Sequence, residues 1–124
     1  MISPRFIRAG ALGALVLLLA SCGGSTGTPL PVPSGAVVLR VSNNTFVPAD
    51  ISAPGANGFQ LYFDNADTLP HDVVFVAPDG SRAFQSDTFS GVQQRLYNVH
   101  ALASGTYKLI CDIHPEMHGT LTVP

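Results

Sequence analysis

The sequence predicts an all-β fold, an antiparallel sandwich or barrel, on three observations. Short β-branched and aromatic runs recur along the chain, clusters of turn residues separate them, and no stretch holds a capped helical period. The size fits a single domain rich in turns: 124 residues, 46% hydrophobic and 11% charged, with 12 Gly and 10 Pro.

The elements follow in order. AVVLRV, from Ala36, is a short β-branched run. FQLYFD sets Phe59, Leu61 and Phe63 against Gln60, Tyr62 and Asp64, the period-2 pattern of a half-buried strand. HDVVFVA is more uniformly apolar, as a central strand is, and stops at the turn residues PDG. SRAFQSDTFS has room for one helical turn. VQQRLYNV and TYKLIC are strands separated by HALASG, and GTLTV closes the chain. About seven short strands at this spacing suit a sandwich. Phe46, Phe59, Phe63, Phe75 and Tyr107 are expected in its core.

The first residues do not fit this pattern. Arg5 and Arg8 precede AGALGALVLLLA, twelve apolar residues that would span about 18 Å as a helix, short of a roughly 30 Å hydrocarbon core. A basic start and a short apolar run read as a secretory signal. It ends in LASC, which resembles a bacterial lipobox, so residues 1–21 are expected to be cleaved and Cys22 lipidated. The alternative is an ordinary signal that leaves Cys22 as a free thiol. Residues 22–35 follow as a flexible Gly/Ser/Pro tether, and 36–124 form the folded domain. The expected location is extracytoplasmic, lipid-anchored to a bacterial membrane, in the periplasm or on the outer face of the cytoplasmic membrane.

All eight acidic residues lie after Cys22, against only Arg40, Arg82, Arg95 and Lys108, so the mature chain is mildly acidic. No basic cluster suits nucleic acid. Export permits disulfides, but a lipidated Cys22 leaves Cys111 without a partner.

The densest chemistry lies in CDIHPEMHG, residues 111–119, where Cys111, His114 and Met117 recur at intervals of three. In a strand, residues i and i+3 face opposite ways, about 10 Å apart. Pro115 and Gly119 break the strand, however, and a loop leaving Cys111 can aim all three side chains at one point. His71, at the start of its strand, is the candidate fourth ligand. One thiolate, two imidazoles and a weak thioether suit electron-transfer copper. Thiolate and thioether favour Cu(I), imidazole accepts either state, and a fixed site limits rearrangement as the electron moves.

Other readings of these residues are weaker. A free Cys is often a small core hydrophobe. A nucleophilic Cys–His pair would lack an orienting group and an oxyanion motif. Zinc favours four N or S ligands, among which Met is poor. No C-x-x-C-H motif is present for covalent haem. His118 reads as a solvated residue opening the last strand, and His100 as an exposed strand-end residue.

These segments together resemble the cupredoxins, the small type 1 blue copper proteins, in their amicyanin/plastocyanin-like branch. The C-x-x-H-x-x-M spacing resembles the short amicyanin-type loop. FVPADISAPG is similar to the family's F-x-P-x-x-I segment, PHDVVF to its first-ligand segment, and SGTYKLIC to the strand that delivers the Cys. The resemblance spans Val37 to Val123. It implies a Greek-key β-sandwich with copper near one end, and a surface ring edge on His114 through which electrons pass.

Two departures stand out. Asp72 and Asp112 occupy positions where the family has Asn and a Ser or Thr that join the ligand loops. Two such carboxylates are expected either to share a proton or to splay apart and leave the loops to backbone bonds. Their negative charge should favour Cu(II). Glu116 and His118 also flank Met117 where the family's docking surface is more apolar.

The expected function is that of a type 1 copper protein holding one copper ion. It carries single electrons between extracytoplasmic redox proteins by Cu(I)/Cu(II) cycling. It is expected to be a monomer and not an enzyme, with no small-molecule substrate. Copper storage or delivery through the same ligands is the alternative.

Overall fold

The computed structural model describes residues 27–124, so the expected signal peptide and lipidation site at Cys22 lie outside the described residues. Nine strands and no helix occur among them: β1 (Val37–Ser42), β2 (Thr45–Val47), β3 (Asp50–Ser52), β4 (Phe59–Asn65), β5 (Val74–Val76), β6 (Arg82–Gln85), β7 (Gln93–Val99), β8 (Gly105–Ile110) and β9 (His118–Val123). They form two sheets, β2-β1-β4-β7 and β3-β9-β8-β5-β6, packed as a sandwich. Most pairings are antiparallel, but β1 runs parallel to β4 and β3 parallel to β9.

Alternation along the strands builds the core. Leu39 and Val41 of β1, Leu61 and Phe63 of β4, Phe75 of β5, Leu109 of β8 and Leu121 of β9 are each 0% exposed. All five aromatic residues expected in the core are buried there. The β1–β2 hairpin turns on Asn43 and Asn44, whose φ angles of 53° and 54° are left-handed. Asn tolerates that region better than other side chains, which suits a two-residue turn.

The single helical turn for which residues 81–90 have room is not formed. Arg82–Gln85 is instead an edge strand, paired antiparallel with β5. The preceding turn explains the outcome. The Asp79 carboxylate accepts the Ser81 amide at 2.9 Å and its hydroxyl at 2.6 Å, and Ala77 N–H donates to the Ser81 carbonyl at 2.8 Å. Phe84 then lies against Phe75, with ring centroids 5.2 Å apart.

The segment 27–35 carries no strand. The Tyr62 hydroxyl donates to the Leu30 carbonyl at 2.6 Å, from the face of β4 opposite the core.

Candidate metal centre

His71 is placed by a loop with bonds of its own. The Asn65 side chain donates to the Leu69 carbonyl at 3.1 Å, and its Oδ1 accepts the Asp67 amide at 2.9 Å. His71 and Phe89 then exchange two backbone hydrogen bonds, each 3.1 Å. The imidazole is completely buried, and neither Nδ1 nor Nε2 has a hydrogen-bond partner. Burial, and after it the neighbouring His114, hold the imidazole below its ordinary pKa. An orphaned, buried, neutral imidazole nitrogen is costly unless something binds it.

Cys111 follows directly on β8 and is 3% exposed. The loop after it is closed by two backbone bonds. Met117 N–H donates to the His114 carbonyl at 2.9 Å, and Cys111 N–H to the Met117 carbonyl at 3.3 Å. This folds the loop back so that β9 can pair with β8, with Ile110 opposite His118. Gly119 permits the close return: a Cβ there would lie 1.9 Å from the Ala49 carbonyl oxygen.

The three expected strong ligands converge. One ligand atom each from His71, Cys111 and His114 lies within 4.8 Å of the others. The Cys111 Sγ is 3.7 Å from His114 Nδ1, and the two imidazole centroids are 4.6 Å apart. His114 is half-buried. Met117 is 1% exposed and belongs to the same buried cluster as Cys111. His118 and His100 are exposed, as expected. Burial pushes the Cys111 thiol up, so a metal taking the thiolate must displace a proton. A buried thiol, an unpartnered imidazole nitrogen and a second imidazole within one small volume fit a soft or borderline metal ion.

Two residues not anticipated from sequence support the centre. Asp67 Oδ2 lies 3.3 Å from His71 Nε2, within ion-pair distance but without hydrogen-bond geometry, so both ring nitrogens stay without a hydrogen-bond partner. The same carboxylate accepts the amides of Asn43 and Asn44 at 2.8 and 3.0 Å. Burial alone would raise Asp67, but those N–H groups and His71 outweigh it and keep the carboxyl below its usual range. The only sequence signal was an acid four residues before a candidate ligand. Arg82 is the other: it grips the Asp112 carboxylate through Nη1 at 2.6 Å and Nη2 at 3.0 Å.

Of the two arrangements expected for Asp72 and Asp112, the carboxylates splay apart, but the loops are joined through the Asp72 side chain and not by backbone bonds alone. The two carboxylates do not hydrogen-bond each other. Asp72 Oδ1 instead accepts the Asp112 backbone N–H at 2.8 Å, joining the two ligand loops, while the Asp112 carboxylate turns to Arg82. The Arg82 guanidinium holds the Asp112 carboxyl below its usual range.

The profile of the family described as "Cupredoxin-like domain" matches residues 11–123. The chain belongs to the cupredoxin-like domain family. Amicyanin-alpha of Methylorubrum extorquens is 27% identical over 115 residues, covering 93% of this chain and 94% of the relative. Two solved structures share the cupredoxin fold. Auracyanin A, a "blue" copper protein of the green thermophilic photosynthetic bacterium Chloroflexus aurantiacus, has a TM-score of 0.61 at 17% identity, covering 72% of this chain and 98% of the other. Amicyanin of Paracoccus versutus has a TM-score of 0.58 at 23% identity, covering 75% and 85%. In this cupredoxin-like chain the candidate metal-ligand group lies on loops at one end of the sandwich, where β8 ends and β9 begins.

Proposed function

We propose that this cupredoxin is a type 1 copper protein that carries single electrons between extracytoplasmic redox proteins. The observation that carries the reading is the buried His71–Cys111–His114 group, whose ligand atoms fall within 4.8 Å of one another in a chain of this family. The name of auracyanin A as a "blue" copper protein supports copper as the metal.

His71 and His114 would supply imidazole nitrogens, Cys111 a thiolate, and the buried Met117 a weak thioether contact. Bound copper would supply the one-electron chemistry. The protein's contribution is to hold this donor set still. His71 is fixed by its two backbone hydrogen bonds with Phe89 and by Asp67, and the Cys111–Met117 loop by its own backbone hydrogen bonds. Held this way, the donor set would limit rearrangement on electron transfer to a bound copper ion. His114, half-buried where its companions are buried, offers the ring edge through which electrons enter and leave. A lipid on Cys22 would keep the domain at a bacterial membrane.

The test is the absorption and EPR spectrum of the full chain loaded with Cu(II), beside the Cys111→Ser variant. An intense visible charge-transfer band is expected, lost in Cys111→Ser, and bleached and restored by one-electron cycling without metal loss. A colourless wild type overturns the copper reading. Loss of copper to a chelator on reduction overturns the carrier reading in favour of storage or delivery. Mass spectrometry of the mature N-terminus tests the acyl group at Cys22.

A further inference from the structure

The acids on either side of the ligand loops are held in different ways. Asp72 is 2% exposed and spends one oxygen on the Asp112 amide, 2.8 Å away. The Asp112 side chain points outward into a polar cluster on β6. Arg82 takes both of its oxygens, at 2.6 and 3.0 Å, and Gln85 Nε2 approaches Oδ2 at 3.4 Å. Arg82 Nη1 also donates to Gln85 Oε1 at 3.3 Å, so the guanidinium is itself oriented from its own strand. Since β6 is the edge strand next to β5, and β5 pairs with β8, the contact ties the rim of the sheet to the residue that follows Cys111.

We propose that Arg82 is a positioning residue for the copper centre: through its fork on Asp112 it fixes the backbone immediately after Cys111 and offsets one of the two carboxylate charges beside the thiolate. The proposal rests on the copper reading above. A planar guanidinium engaging a carboxylate through two parallel bonds leaves that carboxylate little rotational freedom. With the Asp112 side chain fixed, its amide stays aimed at Asp72, and the Cys111 sulfur is held between two anchored neighbours. The charge effect adds to this. A bare carboxylate near the metal favours the more positive oxidation state, and a paired guanidinium opposes that preference at close range. Because Arg82 and Asp112 are both partly exposed, with side chains 48% and 31% accessible, the pair contributes little to global stability. Its effect belongs in loop order and in redox balance.

The experiment uses the full chain with Arg82→Gln, Arg82→Lys, Asp112→Asn and the double variant Arg82→Gln/Asp112→Asn. In the metal-free chain, the Asp112 amide should exchange with solvent roughly five-fold faster or more in Arg82→Gln, while core amides are unchanged. In the copper-loaded chain, Arg82→Gln should shift the reduction potential downward, more at low salt than at high salt. Arg82→Lys keeps the charge without the fork, so it should retain most of the potential and lose amide protection. In the Asp112→Asn background, Arg82→Gln should have no further effect on amide exchange, because the fork is already gone, while loss of its charge still lowers the potential. Unchanged exchange and potential in Arg82→Gln overturn the proposal, as do exchange effects that simply add to those of Asp112→Asn. If the wild type shows no copper–thiolate band, the copper reading and the charge effect fail together, and the exchange rates alone decide whether Arg82 orders the loop.

Discussion

Asp67 Oδ2 lies 3.3 Å from His71 Nε2, and the same carboxylate receives the two amides of the Asn43–Asn44 turn. One side chain thus links the β1–β2 hairpin to a buried candidate ligand. Asp67→Ala leaves two turn amides and the imidazole without this partner. Metal-free stability should fall by roughly 1–3 kcal/mol, with Asp67→Asn in between because it keeps one acceptor oxygen. Urea denaturation of the three proteins checks this, and an Ala variant as stable as wild type would remove Asp67 from the account.

The Asp72 bond to the Asp112 amide separates geometry from charge. Asp72→Asn retains an acceptor oxygen, so its metal-free stability should stay near that of the wild type. Asp72→Ala should lose roughly 0.5–1.5 kcal/mol by removing the partner of a partly buried donor. Removing a negative charge should raise the reduction potential of the copper-loaded Asn variant. Voltammetry giving equal potentials for Asp72→Asn and wild type would show that this carboxylate does not act on the metal.

Met117 has two roles that different substitutions separate. Its side chain is almost fully buried, so Met117→Ala in the metal-free chain should cost about 2–5 kcal/mol. Met117→Leu conserves volume and should cost less than about 1.5 kcal/mol. If the thioether is the weak axial ligand, the Leu variant also changes the copper EPR spectrum and potential while its melting point barely moves. An unaltered spectrum would reduce Met117 to core packing.

Alkaline pH tests the outer wall of the sandwich. Burial, and then the hydrogen bond to Asp87, push the Tyr97 phenol well above its ordinary pKa. The unfolded phenol, with a pKa of about 10, therefore ionises first. The stability that Tyr97 contributes is intact below that pH and drains away as the pH rises towards the folded value. Denaturation midpoints measured from about pH 8 to about pH 11 should fall for wild type and fall less for Tyr97→Phe. Tyr62 and the Cys111 thiol, both also raised by burial, account for a remaining slope. Parallel curves would refute the assignment.

The convergence of His71, Cys111 and His114 was legible in sequence because their residue types and spacing are chemically restrictive. A thiol, two imidazoles and a thioether beside a Pro and a Gly admit few arrangements. The supporting partners were not legible. Which cation would meet Asp112 depends on β6 lying two strands from β8, and strand order is not written locally. The pairing of an acid with an amide, instead of with the second acid, depends on which hydrogen the loop turns inward. β2 and β3 are too short, at three residues each, to show a period. β6 is a half-exposed edge whose burial does not alternate, so its sequence read as a possible helical turn.

The clasp between Tyr62 and the Leu30 carbonyl bears on how far the domain can roam. If the acyl chains sit on Cys22, the leash ends at Leu30, well before the first strand at Val37. Fully stretched, that stretch of backbone reaches at most about 29 Å. The domain would then orbit within roughly its own diameter of the lipid surface, and a redox partner would have to present its docking site at that height.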